Sequence, residues 1–463
     1  MSESIGEMIL PGTYIDVRAE GLIGVGGIST GNIGIVGTAN RGPVNEVQIL
    51  GSYTEALDTF GQYDEWSTTG NPLSLVRALA QVFNGGGSTV YAVRVANGTP
   101  VARVISVRDS ADAVLFTLTA TSGGTWANDI KATLTSGATA KLELEYAGNK
   151  EVFEGATALD LHTAIVASST QLITAGALAA ADEATAADDL DDTTAGSNNG
   201  ENATATQLQT GLARLATQPV NILVAAGFGA AQAASRVLAH LEATENDGLE
   251  RMAVLGVTSD TVSSVVSSDA GAVSNKRVIL VGPGIKSTDA RSGNLVNLPG
   301  SYAAALVAGR LSTLAPHISL TNKDLAAEGL TTEYTRAEQK NLLQNRVMVL
   351  HKHFGYRALK GITTDTGAFK QISVRRTVDY AKAGVRKGSN PYIGKLNNVR
   401  VRAALKATLD GFFAGMVLDE MLTEYSLDVT ATRAQEINGI ALVTLTLKPT
   451  FSIDFVKVIM NLE

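Results

Sequence analysis

The pentad Gly27-Ile28-Ser29-Thr30-Gly31 has the G-x-S-x-G form in which a serine is thrust out as a nucleophile at a strand-to-helix turn. Here it lies in a glycine-rich connection ahead of a strand, with no helix to receive it, and chance is the simpler reading in a chain with 46 glycines. A triad would also need an imidazole, yet His162, His240, His317, His351 and His353 sit in no catalytic motif. His351-Lys352-His353 would set two imidazoles on one face of a strand, as metal ligands often are, but no third ligand has suitable spacing. Gly388 to Lys395 imitates a phosphate loop with one intervening residue too many and no Ser or Thr after the lysine. Gly24-Val25-Gly26-Gly27 precedes a strand, whereas a dinucleotide fingerprint follows one. With no cysteine there are no disulfides, thiolate metal sites or Cys nucleophiles. The expectation is a protein with no catalytic residue, cofactor or metal.

Charge is more telling than any motif. The 463 residues carry a net charge of −8, which gives the whole molecule no attraction for phosphate backbones or anionic membranes. Residues 340–406 hold fifteen Lys and Arg against Asp365 and Asp379 alone, while residues 151–213 hold ten acids and no base. The basic stretch could bind nucleic acid, but it has little aromatic interleaving for base stacking. Opposite-sign regions on one chain suit contacts between subunits, where complementary potentials set register, so the reading is protein partners and no nucleic acid. The start of the chain, with Glu3 and Glu7, lacks the basic and apolar segments of a signal peptide, which suggests a cytoplasm-like compartment. No apolar run suits a bilayer span, so no membrane insertion is expected.

The elements that would position these residues follow from pattern. Asn32–Ala39 and Val90–Val95 read as short buried strands; Ser52 with Glu55 caps a helix ended by Gly61, and Leu73 to Phe83 repeats at helical spacing before Gly85-Gly86-Gly87. Residues 101–204 read as a β-rich surface insertion, with strands near 101–107, 113–120, 130–134 and 141–146 and a mobile acidic loop over 181–202. Beyond Gln207, strands near 221–226, 252–257 and 276–282 alternate with helices near 230–241 and 301–314, the pattern of a parallel sheet covered on both faces. A helix is expected from Asn398, with Val401, Leu405, Leu409, Phe412 and Met416 on its apolar stripe and Arg402, Lys406 and Asp410 on its wet side. Ile440–Leu447 reads as a strand followed by a turn at Lys448-Pro449-Thr450.

Both ends of the chain are unusual. Thr13–Arg18 is strand-like and Phe451–Glu463 is apolar, whereas chain ends are normally polar and frayed. Such ends suit arms that add a strand to another chain's sheet; the alternative is that one or both fold back on their own domain.

Several runs, in order, resemble the tail sheath proteins of contractile phage tails and related bacterial injection machines. They are Pro11-Gly12-Thr13-Tyr14, Ile33–Ala39 with Arg41-Gly42-Pro43, Ser52–Gly61, Leu73–Val95, Gly123-Gly124-Thr125-Trp126-Ala127-Asn128-Asp129, Val278–Gly284, Ser301–Arg310 and Ile372–Asp379. Ala127 stands where that family usually has Gly. The resemblance implies a structural subunit that stacks as hexameric rings or a six-start helix around an inner tail tube and contracts. Tail tube, baseplate and tail terminator proteins would be its partners. The implied location is a virion tail assembled in the bacterial host cytoplasm, serving genome ejection, or a cytoplasmic injection particle.

The fold it implies is α/β (α+β multidomain). The domains would be an N-terminal arm (1–20), an α/β middle domain (21–100 and 205–330), the insertion (101–204), a C-terminal sheath domain (331–450) and a C-terminal arm (451–463). The family's middle domain has been called subtilisin-like, a fold label without proteolysis. Carried over by position, Tyr14, Ile15 and Val17 would lie in one arm and Phe451, Ile453, Phe455, Val456 and Val458 in the other, both joining a neighbour's C-terminal domain. Arg400, Arg402 and Lys406, on the polar helical face, are candidates to touch the tube or a neighbour. The alternatives are a subtilisin-like serine hydrolase using Ser29 and a nucleic-acid binder using residues 340–406.

Overall fold

A computed structural model describes residues 27–67 and 73–461. Its centre is a nine-stranded sheet in the order Asp324–Leu325, Tyr356–Ala358, Val347–Lys352, Val278–Gly282, Met252–Gly256, Ile222–Gly229, Ile33–Gly37, Val90–Arg94 and Val47–Leu50. The six strands from 347–352 to 90–94 run parallel, and the remaining strands pair antiparallel at the two edges. Strands 33–37, 90–94, 252–256 and 278–282 are buried throughout, as a sheet covered on both faces requires. Ile33, Ile35, Val254 and Ile279 join one core with Leu75, Leu79 and Leu306 of helices Leu75–Asn84 and Gly300–Ser312. Val36, Val93, Leu255 and Leu280 face the other core, with Leu212, Val237 and Leu342 of helices Ala205–Leu215, Ala230–Asn246 and Arg336–Gln344. Alternation along each strand therefore feeds two layers. A Cβ on Gly256 would lie 1.9 Å from the carbonyl carbon of Gly300, so bare backbone lets the 300–312 helix seat on the sheet.

This arrangement moves a boundary. The sequence reading began a C-terminal domain at 331, but helix 336–344 covers the sheet and strand 347–352 pairs with strand 278–282. The apolar run Val347–Leu350 is a further buried strand and cannot stand apart from that sheet.

Residues 104–194 enclose their own core, including Phe116, Leu118, Trp126, Leu142, Leu144 and Leu161, between a four-stranded and a three-stranded antiparallel sheet. The expected mobile acidic loop is corrected in part. Asp189–Thr194 is a strand paired with Val104–Arg108, and its acids are fastened by Arg103 to Asp192 (2.6 Å) and Arg108 to Asp191 (2.8 Å). Acid-rich composition hid the strand because its charges are neutralised from the neighbouring strand. The unit is tied to the body by Arg94, fully buried, which donates to the carbonyls of Gly42 (2.6 Å) and Gly123 (3.0 Å). Arg41 adds a guanidinium 4.5 Å from the Trp126 ring. At Gly124, φ is 135° and a Cβ would meet the Asn40 carbonyl oxygen at 2.0 Å, which explains the glycine before Thr125-Trp126.

The last unit consists of helices Ile372–Ser389 and Val399–Leu418 and an antiparallel hairpin, Leu422–Thr430 with Leu442–Pro449. Asn398 caps the second helix by accepting from Val401 N–H at 2.9 Å, and Leu405, Leu409, Phe412 and Met416 form its buried stripe. Pro449 continues the strand as the end partner of Leu422, where no ladder donor is demanded of it, so the expected turn at Lys448-Pro449-Thr450 is not formed. Among the described residues no helix is long and apolar enough to cross a membrane.

Candidate functional site

The candidate enzymatic features resolve into local structure. Ser29 Oγ donates to Asn221 Oδ1 at 3.2 Å, a carboxamide that takes up no proton at neutral pH, beside a cavity of about 200 Å³. The His351 and His353 rings stack 5.9 Å apart at 15°, a geometry for packing and not for chelation, and among the described residues no group of three or more His, Cys, Asp or Glu could hold a metal. The Gly388–Lys395 segment ends the 372–389 helix and passes through a single 3-10 turn at Asn390–Tyr392, whereas a phosphate loop leads from a strand into an α-helix.

Part of the basic stretch is neutralised by its own chain: Arg357, Lys360, Arg375, Lys382, Arg386, Arg402 and Lys406 each pair with an acid. Arg277, 1% exposed, sits between Glu245 (2.8 Å) and Asp379 (2.7 Å), and Arg375 reaches Asp379 at 2.5 Å. Arg386 and Lys382 close on Glu250. Hydrogen bonds from Arg277 pull the Glu245 carboxyl far below its usual range; for Glu250, burial acts upward but the bonds from Arg386 and the backbone prevail, bringing it to about 2. Together these contacts weld the 372–389 helix to the sheet. The same helix holds the first described residues: Arg376 donates to the carbonyls of Thr30 (3.1 Å) and Leu314 (3.0 Å), and Lys387 to that of Gly27 (3.4 Å).

The three cations assigned to one wet face differ in environment. Arg400 is exposed in the first turn of its helix. The Arg402 side chain is only 11% exposed and is spent on Glu436 (3.0 Å) and Asn397 (2.8 Å). Lys406 pairs with Asp428 at 3.3 Å. The segments before and after the helix curl back over its polar side, which helical periodicity alone does not reveal. It also missed Ile393, Leu396, Val399 and Ile437, each 74–79% exposed, clustered where Asn397 donates to the Ile440 carbonyl. Four apolar residues placed among turn-forming Gly and Asn were the available signal.

Tyr14, Ile15 and Val17 lie outside the described residues. Phe451 is 63% exposed, and Ile453, Phe455, Val456 and Val458 are 72–82% exposed, a density of bare apolar side chains uncommon on a lone subunit. Next to them stands the two-stranded hairpin, both of whose outer edges are unpaired among the described residues.

The described chain is thus a sheet-centred α/β body that carries a two-stranded hairpin and, after it, an exposed apolar segment. Comparison supplies its family. The phage tail sheath protein central domain matches residues 201–364 and the phage tail sheath C-terminal domain matches residues 364–463, together more than half of the sequence. The chain belongs to the phage tail sheath family, as a structural sheath subunit. Its fold is similar to the sheath tail protein of Desulfitobacterium hafniense (TM-score 0.64, 16% identity, 95% of this chain and 100% of that one). It is also similar to the sheath tail protein Lin1278 of Listeria innocua (0.67, 13%, 94% and 95%) and to the contracted helical sheath of the anti-feeding prophage (0.57, 13%, 98% and 99%). No curated protein matches by sequence.

Proposed function

We propose that this subunit polymerises helically around an inner tube, as hexameric rings or a six-start helix, and contracts to drive that tube through a target envelope. The observation that carries the reading is the exposed row Phe451, Ile453, Phe455, Val456 and Val458 beside an open hairpin. Burying such a side chain is worth about 1.5–3 kcal/mol, and ordering each residue of the arm costs about 1–2 kcal/mol. One arm therefore binds weakly, and linkage arises only when backbone pairing and many repeats add together. The N-terminal arm, with Tyr14, Ile15 and Val17, joins the same mesh. Exposed Arg400, and the Ile393, Leu396 and Val399 knob beside it, face the tube or a neighbouring subunit; Arg402 and Lys406 hold that helix to its own chain.

No catalytic step, cofactor or membrane insertion enters this account, because the work of contraction is stored in a metastable lattice. The particle is a virion tail or a cytoplasmic injection device assembled in the bacterial host, with baseplate and tail terminator proteins at its ends. Changing Ile453, Val456 and Val458 together to Asp tests the proposal by sedimentation of concentrated subunit with and without a tube protein. The variant should stay slow-sedimenting where the parent pellets as polymer; equal pelleting would remove the arm from assembly.

A further inference from the structure

In the run Phe451–Phe455 the usual surface pattern is inverted. Phe451, Ile453 and Phe455 face solvent, while the Asp454 side chain is only 11% exposed. Its carboxylate accepts from Gln371 Nε2 (3.2 Å), Thr321 Oγ1 (3.3 Å) and Ser452 Oγ (3.3 Å), and lies 3.4 Å from Lys360 Nζ. The Gln371 carboxamide also brackets the Ser452 backbone, accepting from its N–H at 3.3 Å and donating to its carbonyl at 3.5 Å, in the manner of a neighbouring strand. The groups come from three separate places: the loop after helix 300–312, the turn after strand 356–358, and the residue preceding helix 372–389. From Val456 to Asn461 no side-chain hydrogen bond or ion pair is made among the described residues, and the apolar side chains stay exposed.

We propose that Gln371 and Asp454 are positioning residues: they clamp 451–455 to the parent subunit with the apolar row outward, so that the arm crosses to a second copy only from Val456. The use of the clamp rests on the sheath reading; its existence does not. Extended chain advances about 3.3 Å per residue, so holding residues 451–455 shortens the arm's reach by about 17 Å relative to an arm released at Thr450. The clamp thereby narrows the subunit spacings that the arm can link. Gln371 makes no side-chain cap to its helix, so replacing it leaves that helix start intact.

The chain has no cysteine, so spin labels can be placed cleanly at Ile453→Cys and at Arg236→Cys, an exposed position on the 230–246 helix. In the full-length, unassembled protein the distance distribution between them should be narrow, and adding Gln371→Ala with Asp454→Ala should broaden it at least about twofold, as expected when a locally held segment is released. The thermal midpoint should be unchanged, which separates release of the arm from unfolding of the body. A distribution that is equally narrow with and without the two changes, or already broad in the parent, overturns the clamp. In tubes, the doubly changed protein should show a wider spread of axial repeat than the parent. If the labelled parent is narrow but never forms tubes, alone or with a tube protein, the sheath reading fails and the clamp stands.

Discussion

Replacing Asp379 by Ala should loosen the weld between the 372–389 helix and the sheet. Asp379 accepts from Arg277 at 2.7 and 3.0 Å and from Arg375 at 2.5 Å, and the two guanidinium side chains are 1% and 2% exposed. After truncation Arg277 keeps Glu245, but among the described residues Arg375 keeps only the Phe369 ring, 4.3 Å from its guanidinium carbon. Removing one partner of a buried pair costs about 3–5 kcal/mol, and because Asp379 sits near water the lower end applies, about 3 kcal/mol. At about 1–2 °C per kcal/mol for a chain of this size, the thermal midpoint of the unassembled subunit should fall by roughly 3–6 °C. Arg375→Met combined with Asp379→Leu removes the stranded charge together with its partner and should recover at least half of the loss. A midpoint for Asp379→Ala within about 1 °C of the parent, or a double variant as unstable as the single one, would refute the argument that a stranded buried charge sets the cost.

Acid should weaken the fold in two stages. Burial, helped by Arg251, holds His240 down to about 4 from 6.5, so below pH 6.5 the unfolded chain takes up a proton that the folded one refuses, and stability falls between pH 6.5 and 4 by up to about 3 kcal/mol. Glu250, at about 2 in the fold, stabilises above its ordinary value of 4.5 and loses that contribution as pH falls toward 2. Midpoints measured across pH should show both stages, and His240→Gln should flatten the first alone. At the contact between the last two long helices, a Cβ on Gly384 would lie 2.1 Å from Phe412 Cζ, so Gly384→Ala should cost about 1–3 kcal/mol and change the near-ultraviolet dichroism of the Phe412, Phe413 and Tyr425 cluster. An unaltered spectrum and midpoint would show that the two helices have room to spare.

Short-range features were the legible ones. Apolar runs bounded by glycine located strands 33–37, 90–94 and 278–282, and the Asn398 cap with its apolar stripe located the 399–418 helix, where Gly411 and Gly415 cost no packing because a Cβ there would meet nothing. Pairings distant in sequence were not legible: Arg277 with Asp379, and Asp454 with Gln371, join residues that no periodicity relates. Charge composition misled wherever charges cancel through tertiary contact, as Asp191 and Asp192 do against Arg108 and Arg103, and Arg402 does against Glu436. The apolar C-terminal arm was visible as a run of apolar residues that none of the described residues covers; its clamp was hidden because a single Asp within an apolar run reads as a solvent-facing residue.

The central claim is that this chain builds a sheath through its ends. Negative-stain electron microscopy of the purified full-length protein at high concentration, alone and with a tube protein, beside variants lacking residues 1–20 or 456–463, tests it most directly. Hollow, regularly striated tubes from the full-length chain and none from either shortened chain are the predicted result. Striated tubes from both shortened chains would contradict it, because subunits would then be linked by surfaces other than the arms.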